Sequence, residues 1–399
     1  MNEKPDKIDI AIIGAGLGGL TLAQGLRKNN ISFQVFEKDK AVNSRTQGYR
    51  IRIDETGQKA LANCLSKELY DAFAESCALP SLGVRTLNPQ YEKLTDKWVD
   101  SWSDNANDKL PDLKANRLTM REVLLSDLGE QISFNKEFVN YEELANGKIC
   151  LYFKDGTTIQ ADLVVAADGV HSKLCALRFP ENHLFDTGNI NIYGKTFYTA
   201  EVQKLVAAEL QTGTSVIFGE EIALVMDAMQ FKEHPAGLQL SFQQDYIYWA
   251  FIGNRHRFGL SMEEKLLFSP AEILLRIQKV TSSWAPTFQA LFELADPATL
   301  TLTPVKIALP EKTWRSNKIT ALGDAIHAMS PAGGLGANSA LYDAALLTGN
   351  LVKAARKKID LAYAISDYET TMLNHSINAV NASNQGGQIL YAKQQSVNN

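Results

Sequence analysis

The stretch Ile8-Asp9-Ile10-Ala11-Ile12-Ile13-Gly14-Ala15-Gly16-Leu17-Gly18-Gly19-Leu20 decides the fold. A continuous apolar β-rich run ends in a glycine turn, followed by a helical pattern from Leu20 to Arg27 and a second strand from Phe33 to Phe36. This order predicts a β-α-β unit. At Gly14, Gly16 and Gly19 the backbone has to turn tightly, admit a pyrophosphate with no Cβ in the way, and pack helix on strand. The helix N-terminus adds positive potential. Glu37 closes the second strand about 20 residues on, where a carboxylate can accept hydrogen bonds from the ribose hydroxyls of an adenosine, with Lys38 beside it as a further expected contact. Its charge would repel a 2′-phosphate, so the expected resident dinucleotide is FAD or NAD rather than NADP.

Two later motifs separate those candidates. Leu163 to Ala167 reads as a buried strand and runs into Asp168-Gly169, and Lys318 to Leu322 reads as another that runs into Gly323-Asp324. A strand ending in Gly-Asp lets Asp324 meet the ribityl or ribose-phosphate part of a long cofactor. The loop through Pro331, Gly334 and Gly336 to Asn338 offers free N–H groups at the start of the next helix, near the expected ring. NAD dehydrogenases have no use for a second contact of this kind, so FAD is expected. No protein nucleophile, metal ligand set or triad spacing is present, and no catalytic side chain is assigned.

With the glycine fingerprint, Asp168-Gly169 with Ser172, and Gly323-Asp324 in this order, the chain resembles the class A flavoprotein monooxygenases, the group that includes p-hydroxybenzoate hydroxylase. The likeness extends over essentially the whole chain. Arg45 before Gly48, Asn116-Arg117 through Met120-Arg121, Ser283-Trp284 and Trp314 are most similar to tetracycline-inactivating flavin monooxygenases and polyketide hydroxylases. The resemblance implies that Arg45 and Arg117 contact FAD and that Asp168 serves both FAD and docking of the nicotinamide donor. Read on charge alone, each arginine, Arg121 included, also fits a solvated surface position. It further implies hydride transfer from NADPH or NADH, reaction of the reduced flavin with O2 to a C4a-hydroperoxide, and delivery of one oxygen to the substrate. One departure stands out: the family's Asp-Gly motif usually ends in arginine, where this chain has Cys175, with Lys173 and Arg178 nearby. The Trp-x-Trp-x-Ile-Pro signature of flavin halogenases is absent. A reductase or epoxidase of a lipid-like substrate, or a non-catalytic binding protein on the same fold, are the alternatives.

The expected fold class is α/β: a Rossmann-like FAD-binding domain with an inserted, mostly antiparallel substrate sheet and a C-terminal helix. The FAD-binding domain is expected over 1–75, 111–184 and 276–358, the substrate domain over 76–110 and 185–275, and the helix and tail over 359–399. Alternating aromatic-rich strands are expected at Ile190–Thr199, Ser215–Phe218, Ile222–Met229, Leu238–Phe242 and Tyr246–Ile252. Helices are expected at Leu61–Ala74, Met120–Leu128, Met262–Leu267 and Pro270–Val280, then at Thr287–Leu294, Asn338–Ala355 and from Ile359 to about Ala392. Period two puts Tyr193, Lys195 and Phe197 on one face and Ile192, Thr196 and Tyr198 on the other. Tyr198, Phe218, Met226 and Tyr248 are the expected substrate contacts, with Phe242 and Trp249 as further candidates, for an apolar aromatic or polycyclic small molecule. His327 reads as structural, His171 as exposed and His256 as surface.

Composition narrows the rest. The chain has 399 residues, 45% of them hydrophobic, and a net charge of -5, which argues against a nucleic-acid surface. Four cysteines and six histidines show no metal-ligand spacing, and no run approaches about 18 apolar residues. No metal, no integral membrane association, a cytoplasmic setting and a monomer or homodimer are expected.

Overall fold

A computed structural model describes residues 9–44, 49–81, 83–95, 110–232, 238, 240–241, 244–309 and 318–391. Its centre is a five-stranded parallel sheet in the order Ile319–Ala321, Leu163–Ala166, Ile10–Ile13, Phe33–Phe36, Ile132–Ser133. Leu163–Ala166 and Ile10–Ile13 are buried at every position, which explains why they are unbroken apolar runs rather than alternating ones. Helix Leu17–Lys28 lies between this sheet and helices Glu55–Cys64 and Gly336–Ala355, so ten of its twelve residues are buried.

A second, six-stranded sheet forms a roof. Its order is Thr301–Ile307, Phe185–Phe197, Tyr246–Asn254, Ile222–Met229, Thr214–Phe218, Val84–Leu87, antiparallel except for the last pair. One face packs on helices Pro270–Val280 and Pro286–Glu293 through an aromatic cluster: Trp249 and Phe251 each lie 5.2 Å from Phe292, and Trp284 lies 5.7 Å from Phe288. Each fully buried ring of this kind contributes about 1.5–3 kcal/mol relative to an exposed one. The other face looks toward the parallel sheet. Helix Leu361–Tyr391 packs along Gly336–Ala355 and continues to the roof, where Leu390 meets Val216 and Phe218. No helix among the described residues is long and apolar enough to cross a membrane.

Several elements differ from the sequence expectation. The helix expected over Leu61–Ala74 is two, Glu55–Cys64 and Lys67–Glu75, because Leu65 turns extended and the Ser66 hydroxyl caps the second by accepting from Leu69 N. Met262–Leu267 is not helical: Pro270 holds Ser269 extended, and Leu267, 85% exposed, has no face to bury. Leu238, Leu240 and Ser241 form no strand, while Phe242 lies outside the described residues. A boundary at residue 276 would divide helix Pro270–Val280, whose buried Ile273 and Ile277 pack in the roof cluster together with the helix and strand that follow.

Candidate cofactor and substrate site

A cavity of about 790 Å³ opens between the C-terminal ends of three parallel strands and the inner face of the roof. All three motifs reach it. Gly16 and Leu17, then Ala167 and Gly169, then Gly323 and Asp324 follow strands Ile10–Ile13, Leu163–Ala166 and Ile319–Ala321 respectively.

The glycine turn is built by backbone crowding. Gly14 sits at φ +109°, and a Cβ there would lie 2.4 Å from Ala167 O; one on Gly19 would lie 2.2 Å from Gly14 O. Gly16 differs, since a Cβ would meet protein only at 3.8 Å while the residue lines the cavity. Its missing side chain therefore leaves room for a ligand rather than for the fold. Behind the turn, Glu37 Oε2 accepts from Ala15 N at 2.8 Å and Oε1 from Asp39 N at 2.9 Å. Arg121, 2% exposed, donates to Ala15 O and Val42 O at 2.9 Å each and reaches Glu37 Oε2 at 3.5 Å. A surface reading of Arg121 is corrected: it is a buried brace holding Glu37 against the turn. Of about four acceptor positions on the carboxylate, one is left for a ligand hydroxyl. Lys38 is exposed, and its charge opposes the effect of burial on Asp168.

The second motif carries an orphaned oxygen. Asp168 Oδ2 accepts from Lys173 N at 3.1 Å, while Oδ1 is buried with no protein partner, and burial pushes the carboxyl up from its ordinary value. A buried acceptor left open in this way can take a donor from a bound group or a water. Gly169 turns at φ +80° beside it. Cys175 is buried, its thiol pushed up to about 12, so it is inert packing rather than a redox group.

The third motif is fixed from below. Gly323 N donates to Asp343 Oδ2 at 2.9 Å, and the same oxygen lies 2.6 Å from His327 Nε2, both side chains being fully buried. This gives His327 the structural place that its sequence context suggests. Asp324 projects into the cavity; the protein around it raises its carboxyl, opposed by the charges of His327 and Arg117. Arg117 starts helix Arg117–Leu125, lines the cavity and lies 5.5 Å over the Tyr49 ring. Pro331, Gly334 and Gly336 also line it. Asn338 stands behind this loop: its amide donates to Arg52 O and Gly334 O at 3.1 and 3.2 Å and accepts from Asp54 N, so it clamps the loop to the neighbouring strand. Arg45 lies outside the described residues, as does Trp314.

Of the four expected substrate contacts, Tyr248 lines the cavity. Met226 and Tyr198 lie in the cluster on the far face of the roof, and the Tyr198 hydroxyl donates to Gln211 O at 2.7 Å. Phe218 shares the face of Val216 but is covered by Ala332 and Leu390. Alternation explains the outcome: Tyr193, Val225, Tyr248 and Ala250 face the cavity, while Ile192, Met226, Trp249 and Phe251 face the aromatic core. His171 lines the cavity, and His256 pairs at the surface with Glu221 at 3.1 Å. Sequence reasoning missed Arg50, Lys114 and Asp227. The signal available for the first was Arg50-Ile51-Arg52-Ile53, an alternation that puts two arginines on one face of a strand.

These residues fit FAD: a turn closed to side chains, an open buried carboxylate oxygen, and one cavity reached by all three strand ends. Comparison with known proteins agrees. Residues 304–375 match a family described as FAD binding domain, and residues 12–58 match an NAD(P)-binding Rossmann-like domain. The chain is 32% identical over 391 residues to the dual O-methyltransferase/FAD-dependent monooxygenase CTB3 of Cercospora beticola, covering 92% of this chain and 44% of that protein. It spans less than half the length of the curated relatives that it matches first. A solved structure from Photorhabdus luminescens subsp. laumondii, assigned as an FAD-containing monooxygenase, superposes with a TM-score of 0.81 at 29% identity, covering 96% of this chain and 99% of that one. The tetracycline destructase Tet(51) shares the fold, with a TM-score of 0.69 at 16% identity over 98% of this chain and 93% of that one. FAD is the cofactor that this cradle fits, and over nearly its whole length the chain is similar to FAD-dependent monooxygenases.

Proposed function

We propose that this chain uses FAD, NAD(P)H and O2 to hydroxylate an apolar aromatic or polycyclic small molecule. The observation that carries the reading is the shared cavity: the same 790 Å³ is walled by the three cofactor motifs on one side and by the roof strands on the other. A cofactor ring and a planar substrate can therefore meet with water excluded. The chemistry FAD supplies when bound is hydride acceptance and O2 activation. On this reading the parallel-sheet part holds the cofactor and the roof grips the substrate.

The chain's own residues supply binding, orientation and electrostatics. Gly14, Gly16 and Gly19 with Glu37 and Lys38 would hold the adenosine and pyrophosphate; Arg117, Asp168, Gly169, Gly323 and Asp324 would hold the middle. Pro331 and Gly334 precede, and Gly336 opens, the 20-residue helix Gly336–Ala355, whose N-terminal potential would favour negative charge on a reduced ring. The Tyr49 and Tyr193 rings meet beside the cavity, 4.9 Å apart and tilted by 53°. Burial raises the Tyr193 hydroxyl to about 12 and pushes that of Tyr248 up further, so both stay protonated hydrogen-bond donors at neutral pH. No second strand-glycine-helix fingerprint occurs in the sequence, so the nicotinamide donor is a transient visitor.

Asp324→Ala is expected to weaken FAD retention about tenfold or more, the loss of one charge-assisted hydrogen bond, and Glu37→Ala to loosen the adenosine end. Flavin content of the purified variants measures both; full content in both contradicts the assigned contacts. The reaction itself is tested with a panel of aromatic and polycyclic compounds, NADPH and ¹⁸O₂. One labelled oxygen in a product supports hydroxylation. Products that lose or gain hydrogen without label point to a reductase, and flavin that NADPH does not bleach in the absence of air points to a binding protein.

A further inference from the structure

The roof end of the cavity holds a cluster of charges that neither the cofactor motifs nor the apolar wall explain. Asp227, fully buried on strand Ile222–Met229, is surrounded by donors. Lys114 Nζ lies 3.1 Å from its Oδ1 and also donates to Ala228 O at 2.7 Å. Arg50 Nε lies 2.9 Å from its Oδ2, and the Ser81 and Thr214 hydroxyls donate to it at 3.3 and 3.1 Å. Two cations thus share one carboxylate in a region of low exposure, the side chains of Arg50, Lys114 and Asp227 being 17%, 5% and 0% exposed. Arg50, Lys114, Ser81 and Thr214 all line the cavity.

The cluster is one negative charge short. Asp112 does not supply it, because its carboxylate is paired with Arg52. Lys114 directs its ammonium at Asp227 and Ala228 O. The Arg50 guanidinium is held to Asp227 by charge, its Nε 2.9 Å from Oδ2 without the alignment of a hydrogen bond, and its two terminal nitrogens make no hydrogen bond to another described residue. Its charge reaches the hydroxyls of Tyr246 and Tyr248, which puts it beside the face of the roof that carries the substrate wall. A planar fork, anchored at its stem and open at its tip in a partly dry cavity, suits a planar anion bidentately.

We propose that Arg50, steadied by Asp227 and backed by Lys114, is the specificity residue of this cavity and selects substrates with a planar carboxylate on the aromatic ring system. This rests on the hydroxylase reading above. An uncompensated buried cation is costly in the empty cavity, and a carboxylate ligand completes the cluster. The neutral ester of the same ring gains nothing from the fork.

The test uses the FAD-loaded protein and two probes, 3-hydroxy-2-naphthoate and its methyl ester, with binding read from perturbation of the flavin visible spectrum. The acid is expected to bind about tenfold to a hundredfold more tightly than the ester. Arg50→Gln should abolish that preference by lowering the affinity of the acid to that of the ester, while Asp227 keeps Lys114, Ser81 and Thr214. Arg50→Lys, which keeps the charge and loses the fork, should retain only part of it. Equal affinity for the two probes, binding of neither, or a preference that survives in Arg50→Gln overturns the proposal. A protein that takes up no FAD defeats the hydroxylase reading instead, so the two failures are distinct.

Discussion

Gly14→Ala is expected to yield protein that takes up no FAD and is destabilised by about 3 kcal/mol or more. Two costs combine. At φ +109° an L-residue is strained by about 1–2 kcal/mol, and a Cβ placed 2.4 Å from Ala167 O and 2.8 Å from Asp168 Cα overpacks the turn by about 1–3 kcal/mol. Relaxation is blocked on both sides. Gly14 N donates to Phe36 O at 2.8 Å and Ala167 N to Ile13 O at 2.8 Å, so moving the turn breaks the ladder of the parallel sheet. The same displacement carries Asp168 away from its place, which couples the adenosine end of the site to its middle. Urea unfolding and flavin content measure the two effects. A Gly14→Ala protein with ordinary stability and full flavin would mean that the turn is far softer than its contacts imply.

Asp343→Ala is expected to cost about 3–5 kcal/mol, the usual penalty for removing one partner of a buried ion pair. Asp343 Oδ2 serves two donors, Gly323 N and His327 Nε2, and its loss leaves both without a partner beneath the Gly-Asp motif. Flavin should be lost with stability, since Gly323 and Asp324 form part of the cavity floor. The pair also predicts a pH dependence. Burial disfavours the His327 imidazolium, but the charge and hydrogen bond of Asp343 together with the charge of Asp324 outweigh it, so the folded-state pKa lies above the ordinary histidine value. A raised folded pKa contributes stability that is complete below the unfolded value of about 6.5 and is lost as pH rises through the folded one. The native chain should therefore lose part of its stability advantage over Asp343→Asn as pH rises above about 6.5. An advantage that is constant across that range would show that the histidine is neutral in the fold.

How legible these features are depends on what burial does to sequence. The parallel sheet is plain because strands buried on both faces, such as Ile10–Ile13 and Leu163–Ala166, leave unbroken apolar runs beside glycines that nothing else can replace. The roof is legible as strands but not as faces. Period two separates Tyr248 from Trp249 and Val225 from Met226, yet both faces are apolar, one against an aromatic core and one against a cavity, so the side chains alone do not say which is which. Asn338 looks like a ligand contact in sequence and Arg121 like a surface charge, yet they act as a clamp and a brace, because polar groups buried beside a site need protein partners as much as the site needs donors. Asp227 is hidden for the opposite reason: it lies in the apolar strand Ile222–Met229, and its partners Arg50 and Lys114 come from strands more than a hundred residues earlier. Only tertiary structure brings those three together.

The most direct measurement of the central claim is FAD titration of the purified chain, followed by visible absorbance and by the emission of the free cofactor. One FAD per chain, with the flavin bands shifted from those of free FAD and lost in Gly14→Ala, is the result expected of a cradle built from three strand ends. A folded chain that shows no flavin band after incubation with excess FAD would contradict it.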